Sequence, residues 1–390
     1  MTRSLKVLIA GESSGALLHS GTEFVFNYSA ECAVENFVSL TMPVRAKSYV
    51  YHQLHPIFEM HLPEGYLLSI LKKHFSKITD TDDFGLLALL SPSVRGRIQY
   101  DSNKQSAKAP LHLEDLLRPE SAGLFNELVS RFALSSPLSG VQPKVLAQVE
   151  NKATLKLEDY IVKAWGQEYP ELALNEFLCM QAVKSAGISV PDFYLSNDDQ
   201  LFIMKRFDIA EDGCVLGFED LCVLQAKQRD DKYQGSYEKV AKSLLLFTSR
   251  HFRTASIEQF FKMMVMNNLL QNGDAHLKNF GVLYRDINEV QISPAYDVVS
   301  TTAYIQNDIP ALTLLGSKRW HGKEKLIQFA VDACQLSKRQ ALSLYNECLL
   351  GMQALEKLVI ERLENETVEN KRHVLLHFKK LTKEARITAE

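Results

Sequence analysis

A chain of 390 residues, 46% hydrophobic and 23% charged, is long enough for two or three domains and a sizeable core. Its formal net charge of -3 gives no general reason to bind nucleic acid, and its six scattered cysteines (Cys32, Cys179, Cys214, Cys222, Cys334, Cys348) form no CxxC pair, which argues against a zinc site and a disulfide framework. No run approaches the roughly 18 apolar residues of a membrane span, and the opening MTRSLKVLIAGESSG lacks a long apolar signal region, so a reducing cytoplasm is expected, with no membrane partner.

In chain order, KVLIAG (6–11) and TEFVFNY (22–28) read as strands bounded by Gly, Ser and Asn. SLTMPV (39–44) and the LPEG turn (62–65) follow, and YLLSILKKHF (66–75) has helical periodicity. The polar, aperiodic DSNKQSAKAP (101–110) is the expected linker. Short helices are expected at 112–119 and 121–133. A turn-rich stretch, SPLSGVQPKVLAQV (136–149), then runs into a strand. TLKLEDYIVKAW (154–165) and QLFIMKRFD (200–208) read as further strands. Between them PELALNEFLCMQAVKSAG (170–187) reads as a helix, with Gly187 suited to its C-terminal cap. Beyond about residue 236 the pattern is mostly helical, with one β interruption at 280–293.

The stretch NGDAHLKNF (272–280) gathers amides, a carboxylate, a histidine and a lysine between an apolar helix and an apolar strand. The helix is SIEQFFKMMVMNNLLQNG (256–273), with Ser256 as the expected N-cap and Asn272-Gly273 as the expected end. NFGVLYR (279–285) and EVQISPAYDVV (289–299) then form a predicted hairpin, which brings Asn279 and Asp297 to one place with Asp274 just ahead. Phosphoryl transfer calls for such a set: one carboxylate to take a hydroxyl proton, and an amide oxygen with a second carboxylate to hold Mg²⁺ on nucleotide phosphates. Asp274 and Asn279 stand five positions apart, the spacing of the kinase catalytic loop.

Upstream lies a matching series. SGVQPK (139–144), with Ser139, Gly140, Val141, Gln142 and Lys144, resembles a phosphate-covering loop, although it is neither GxGxxG nor a Walker A sequence. YIVK ends on Lys163, placed like the strand lysine that reaches the α- and β-phosphates. Glu176 in the next helix is a partner for it, with Glu171 as the competitor. FIMKRFD (202–208) is an apolar strand leaving into a link whose backbone suits adenine.

In this order the motifs resemble those of the HipA family of serine/threonine kinases, toxins of bacterial toxin–antitoxin pairs. The resemblance spans most of the chain. It rests on SGVQPK, YIVK, NEFLCMQAVKSAGISVP (175–191), MKRFD (204–208), NGDAHLKNF and YDVVS (296–300), with VSLTMPV (38–44), PIFEMHLPEG (56–65) and FGLLALL (84–90) in the N-terminal region. It implies an α+β, protein-kinase-like two-lobed fold. Residues 1–110 form a small mixed accessory subdomain, 111–235 a nucleotide-binding lobe, and 236–390 a mostly helical catalytic lobe. Carried over by position, Asp274 is the catalytic base, and Asn279 and Asp297 bind Mg²⁺. Lys144 and Lys163 contact the phosphates of ATP, and Lys205, Arg206 and Phe207 form the adenine hinge. His276, Lys278 and Tyr296 lie near the nucleotide. The family phosphorylates aminoacyl-tRNA synthetases, halting translation, and its members pair with a helix-turn-helix antitoxin, through which alone they meet DNA. Many are inactivated by phosphorylation of a loop serine. Here Pro137 stands at the usual position, leaving Ser139 and Ser136 as autophosphorylation candidates.

Two other readings use the same residues. Aminoglycoside and choline kinases carry a GD-x-H-x-x-N loop that fits Gly273–Asn279, but they have no need of a block like residues 1–100. A pseudokinase acting as a binding module within a repressor complex has no need of Lys163, Asp274, Asn279 and Asp297 together.

Overall fold

The computed structural model describes residues 2–62, 64, 82–101, 111–119, 144–151 and 156–387. The expected helices at 66–75 and 121–133, nearly all of the linker at 101–110, and the loop at 136–143 lie outside these residues. The chain divides into two compact units. One comprises Met1–Lys163, Lys205–Asp231 and Leu283–Glu289; the other comprises Ala164–Met204, Lys232–Val282 and Val290–Glu390.

In the first unit an antiparallel sheet is built from β1 (Arg3–Ile9), β2 (Glu12–Ser20), β3 (Glu23–Tyr28), β4 (Tyr49–Tyr51) and β5 (Ile98–Tyr100), in the order β4-β3-β2-β1-β5. Alternate residues Val7, Ile9, Leu17 and Phe26 face a core shared with Phe58, Phe84, Leu86 and Leu87, as a half-buried pleat requires. β2 has no counterpart among the predicted strands, because ESSGALLHS is poor in β-branched and aromatic residues. Its Gly15 is required by close approach: a Cβ there would lie 2.1 Å from the Asn27 carbonyl oxygen. The helix Asp83–Leu90 is N-capped by Asp82, whose carboxylate accepts from the Gly85 N–H at 2.7 Å. Glu219 is fully buried and accepts from Ser39 Oγ (2.8 Å), the Leu40 N–H (2.7 Å) and Tyr284 Oη (2.7 Å). Burial pushes its carboxyl up to about 7 against the pull of those three donors.

The same unit carries β6 (Leu111–His112), β7 (Lys144–Asn151) and β8 (Lys156–Lys163). β7 and β8 pair antiparallel from Lys144↔Lys163 to Asn151↔Lys156, so the two predicted phosphate-contacting lysines are cross-strand neighbours by register.

The second unit is mostly helical. Its helix Leu172–Ser185 ends as predicted, with Gly187 at φ +68 and its N–H donating to the Lys184 carbonyl at 2.9 Å. The 28-residue helix Lys338–Asn365 crosses it at Gly351, where a Cβ would stand 2.6 Å from the Ala182 carbonyl oxygen. The helix Arg253–Leu269 begins three residues before the predicted start. Ser256 is therefore not its N-cap. It is buried within the helix, and its hydroxyl accepts from the Ile292 N–H at 3.1 Å, fixing the following hairpin to the helix. Phe260, Phe280 and Phe329 make edge contacts with centroids 5.6 and 6.3 Å apart. Phe280 thus anchors the end of the polar stretch 272–280 in the core. Among the described residues no helix is long and apolar enough to cross a membrane.

Candidate active site

The loop after Arg253–Leu269 is held largely by its own amides. Gln271, at φ +53, makes the left-handed turn expected of Asn272-Gly273. Asn272 is buried, its side chain donating to Asn267 Oδ1 at 2.8 Å and accepting from the Asp274 N–H at 3.1 Å. The Asp274 carbonyl accepts from the His276 N–H at 2.8 Å, and the Leu277 N–H donates to the Lys232 carbonyl at 3.1 Å. Ala275 and Leu277 are fully buried, so the polar residues alternate with two apolar anchors.

Gly273 has a different task. Its N–H donates to Thr301 Oγ1 at 2.8 Å, and that hydroxyl donates to the Gln271 carbonyl at 3.2 Å. A Cβ on Gly273 would lie 2.0 Å from Asp308 Oδ2 and 2.8 Å from Thr301 Oγ1. A side chain there would force the Asp308 carboxyl and the Thr301 hydroxyl from these positions.

The Asp274 carboxylate accepts from Tyr233 Oη at 2.8 Å. Burial pushes its carboxyl up to about 6; the tyrosine hydrogen bond and Lys232 pull it down, and the charges of Asp297 and Asp308 push it further up. A proton acceptor poised near neutrality suits general-base work.

The hairpin strands Gly281–Tyr284 and Val290–Ile292 are shorter than predicted, yet the segments beyond them meet. Asn279 Nδ2 donates to Asp297 Oδ2 at 3.2 Å, and Asn279 Oδ1 accepts from the His276 N–H at 3.1 Å. Asp297 sits at φ +58, a left-handed conformation that costs a non-glycine residue. Tyr296 Oη donates to the Lys278 carbonyl at 2.7 Å. Asn279, Tyr296 and Asp297 line one small cavity with Asn267 and Met263. The donor types fit magnesium: an amide and a carboxylate in contact, both able to present hard oxygens. Among the described residues no three His, Cys, Asp or Glu side chains converge as a metal site. Asn279 and Asp297 would hold Mg²⁺ as two hard oxygen ligands, with phosphates and water completing its shell.

The other predicted residues are placed as follows. Lys163 ends β8 and is 2% exposed. Glu176 is fully buried in Leu172–Ser185. Glu171 stands just before that helix at φ +62. Burial raises its carboxyl, and Lys371 of the C-terminal helix Glu369–Ile387 lowers it only in part. Lys205 donates to Glu158 Oε1 at 2.7 Å, and Arg206 bridges Asp159 (3.1 Å) and Asp208 (2.6 Å), while its N–H donates to the Asp159 carbonyl at 2.9 Å. Phe207 meets Phe218 edge-on at 5.5 Å. Lys144 begins β7. Ser136, Ser139, Gly140, Val141 and Gln142 lie outside the described residues.

Four residues of this site were given no role by the sequence. Tyr233, Thr301 and Asp308 reach the loop from distant positions. Asn175, fully buried, donates to the Ser300 carbonyl at 3.0 Å and accepts from its N–H at 2.8 Å, holding the segment after Asp297.

Residues 136–355 match the HipA-like C-terminal domain and residues 5–101 the HipA N-terminal domain. A curated relative from Sinorhizobium fredii, "Putative kinase Y4dM", is 28% identical over 326 residues, covering 77% of this chain and 76% of that one. A second from the same organism, "Putative kinase Y4mE", is 25% identical over 292 residues, covering 68% and 69%. Among solved structures, HipA of the Shewanella oneidensis MR-1 toxin–antitoxin system, in complex with HipB and operator DNA, matches with a TM-score of 0.73 at 19% identity over 98% of this chain and 96% of that one. At this identity the likeness concerns the fold, and the expected α+β, kinase-like fold is borne out.

Proposed function

Because this chain belongs to the HipA family, with both its N-terminal and its C-terminal domain, we propose that it is an ATP- and Mg²⁺-dependent serine/threonine protein kinase. The observation that carries this reading is a carboxyl held near pH 6 with a hydroxyl on it at 2.8 Å, beside a second carboxylate in contact with an amide.

Asp274 orients the acceptor hydroxyl and takes its proton as the oxygen attacks the γ-phosphorus. Asn279 and Asp297 hold Mg²⁺, which neutralises charge on the phosphates when bound. Lys144 and Lys163 bind phosphate oxygens, and Ser139–Gln142 cover them. Glu176, fully buried in the helix that follows, is the proposed partner for Lys163. The backbone at Lys205–Phe207 receives adenine, with its side chains engaged in ion pairs and ring packing. His276, Lys278 and Tyr296 shape the loop beneath the nucleotide.

The acceptor is a protein hydroxyl, with an aminoacyl-tRNA synthetase the expected target, so that translation and growth stop in the cytoplasm. A helix-turn-helix antitoxin is the expected partner, as HipB is in the Shewanella complex, and it brings the pair to operator DNA. Phosphorylation of Ser139 or Ser136 is the expected self-inhibition. Incubating the purified chain and its Asp274→Ala variant with labelled Mg-ATP and a cell extract tests the reading. The wild type labels a discrete protein, and the variant loses roughly 10²–10⁴-fold in rate. Equal labelling by both removes Asp274 from its role.

A further inference from the structure

The base is already engaged. Tyr233 Oη donates to Asp274 Oδ1 at 2.8 Å, making the hydrogen bond that an acceptor hydroxyl makes before its proton is taken. The tyrosine is fastened from behind. The carbonyl of its neighbour Lys232 accepts from the Leu277 N–H at 3.1 Å, tying this backbone to the catalytic loop. Its ring stands edge-on to His276, with centroids 5.1 Å apart at 78°. It is open in front: Tyr233 is 41% exposed, whereas Ala275 and Leu277 of the same loop are fully buried. A side-chain rotation moves the phenol off Asp274 and leaves the backbone anchors in place.

We propose that Tyr233 is a placeholder for the acceptor: its hydroxyl occupies the acceptor's position on Asp274, and an acceptor enters by displacing it. The inference rests on the kinase reading and gives the phenol a purpose within it. With ATP bound and no acceptor present, water is the competing nucleophile. Its oxygen would bond to the γ-phosphorus, the bond from that phosphorus to the β,γ-bridging oxygen would break with ADP leaving, and the water proton would pass to Asp274. A phenol on the carboxylate keeps water from that oxygen, and excluding such side reactions is a known use of a closed site.

The test is phosphate release from Mg-ATP by the full chain without any protein acceptor. It compares the wild type, Tyr233→Phe, Asp274→Ala and the double variant, with Mg-ATP affinity followed by a fluorescent ATP analogue. Tyr233→Phe keeps the ring and removes one hydrogen bond, so Asp274-dependent release rises about 3- to 10-fold. Mg-ATP affinity is unchanged, and the double variant falls back to the Asp274→Ala rate. Tyr233→Ala moves the rate in the same direction. Release that is unchanged or lower in Tyr233→Phe overturns the proposal, because the phenol would then orient the base or only pack beside it. Phosphate found on Tyr233 by mass spectrometry also overturns it, since the phenol would be a substrate. Absence of Asp274-dependent phosphate release in both the wild type and Tyr233→Phe overturns the placeholder, whereas absence of Asp274-dependent labelling of any protein in a cell extract by the wild type defeats the kinase reading itself, and the placeholder with it.

Discussion

A single methyl group at Gly273 is expected to disable the site from within. The added carbon of Gly273→Ala meets Asp308 Oδ2 at 2.0 Å, Asp308 Cγ at 2.6 Å and Thr301 Oγ1 at 2.8 Å. Ordinary contact begins near 3.4 Å, so the Asp308 carboxyl must retreat by well over an ångström. Thr301 cannot follow freely, because its hydroxyl joins the Gly273 N–H to the Gln271 carbonyl. Overpacking of this kind costs about 1–3 kcal/mol. The larger consequence is for Asp274, the adjoining residue, since misplacing a catalytic group by about 1 Å costs on the order of 10²-fold in rate. Urea midpoints and phosphoryl transfer measured on one preparation give both quantities. Asp308→Ala in the same chain removes the two closest clashing atoms. The double variant is therefore expected to recover part of both losses, a coupling that independent sites do not show. Wild-type turnover in Gly273→Ala, or strict additivity in the double variant, would refute the argument that this glycine exists to admit Asp308 and Thr301.

Asp297→Asn is expected to weaken Mg-ATP binding more than metal-free ATP binding, because a neutral amide replaces a hard anionic ligand; titration with and without Mg²⁺ measures it, and equal losses would make Asp297 structural. The acid limb of kcat/KM is expected near pH 6, where Asp274 takes up its proton, and it should move to lower pH in Asp297→Asn because one charge that raises Asp274 is gone. Asp274 also destabilises the fold above that pH. Its carboxyl titrates near 6 in the folded chain against an ordinary value of 3.8, so between these values the folded state binds more protons and stability falls as pH rises. A rise of roughly two units at ~1.4 kcal/mol each amounts to about 3 kcal/mol, so Asp274→Asn should be more stable than wild type at pH 7.5 and no more stable at pH 4, by denaturant melts at both.

The parts of the site that were legible in sequence are those set by local spacing. Asp274, Asn279 and Asp297 lie along one loop and one hairpin, and a hairpin closes its outer ends whatever the exact strand lengths. The helix Leu172–Ser185 was readable for the same reason, through periodicity and a glycine in the left-handed region. Ser256 misled because the true start, at Arg253, follows a phenylalanine that provides no side-chain cap. β2 was invisible because its middle is a glycine chosen for close approach to β3, and close approach leaves no periodic trace. Tyr233, Thr301, Asp308 and Asn175 were beyond reach for a related reason: each meets its partner across 28 or more positions, and neither a tyrosine nor a threonine announces which backbone it will bind.

This separation explains why NGDAHLKNF is so polar. A connection that must leave a buried helix, present a carboxylate and dive back into the core has backbone groups that neither helix nor sheet can satisfy. Asn272 closes the turn onto Asn267 and receives the Asp274 N–H; Asn279 receives the His276 N–H with one end of its amide and meets Asp297 with the other. Ala275 and Leu277 sink into the core between them. Much of the chemistry that looks catalytic in the sequence therefore builds the loop, and this is why Asp274 can be both buried enough to titrate near 6 and open to the hydroxyl of Tyr233. A loop satisfied by its own amides buries a carboxylate deeply enough that desolvation outweighs the pull of Tyr233 and Lys232, and the raised proton affinity that results is what a general base at neutral pH requires.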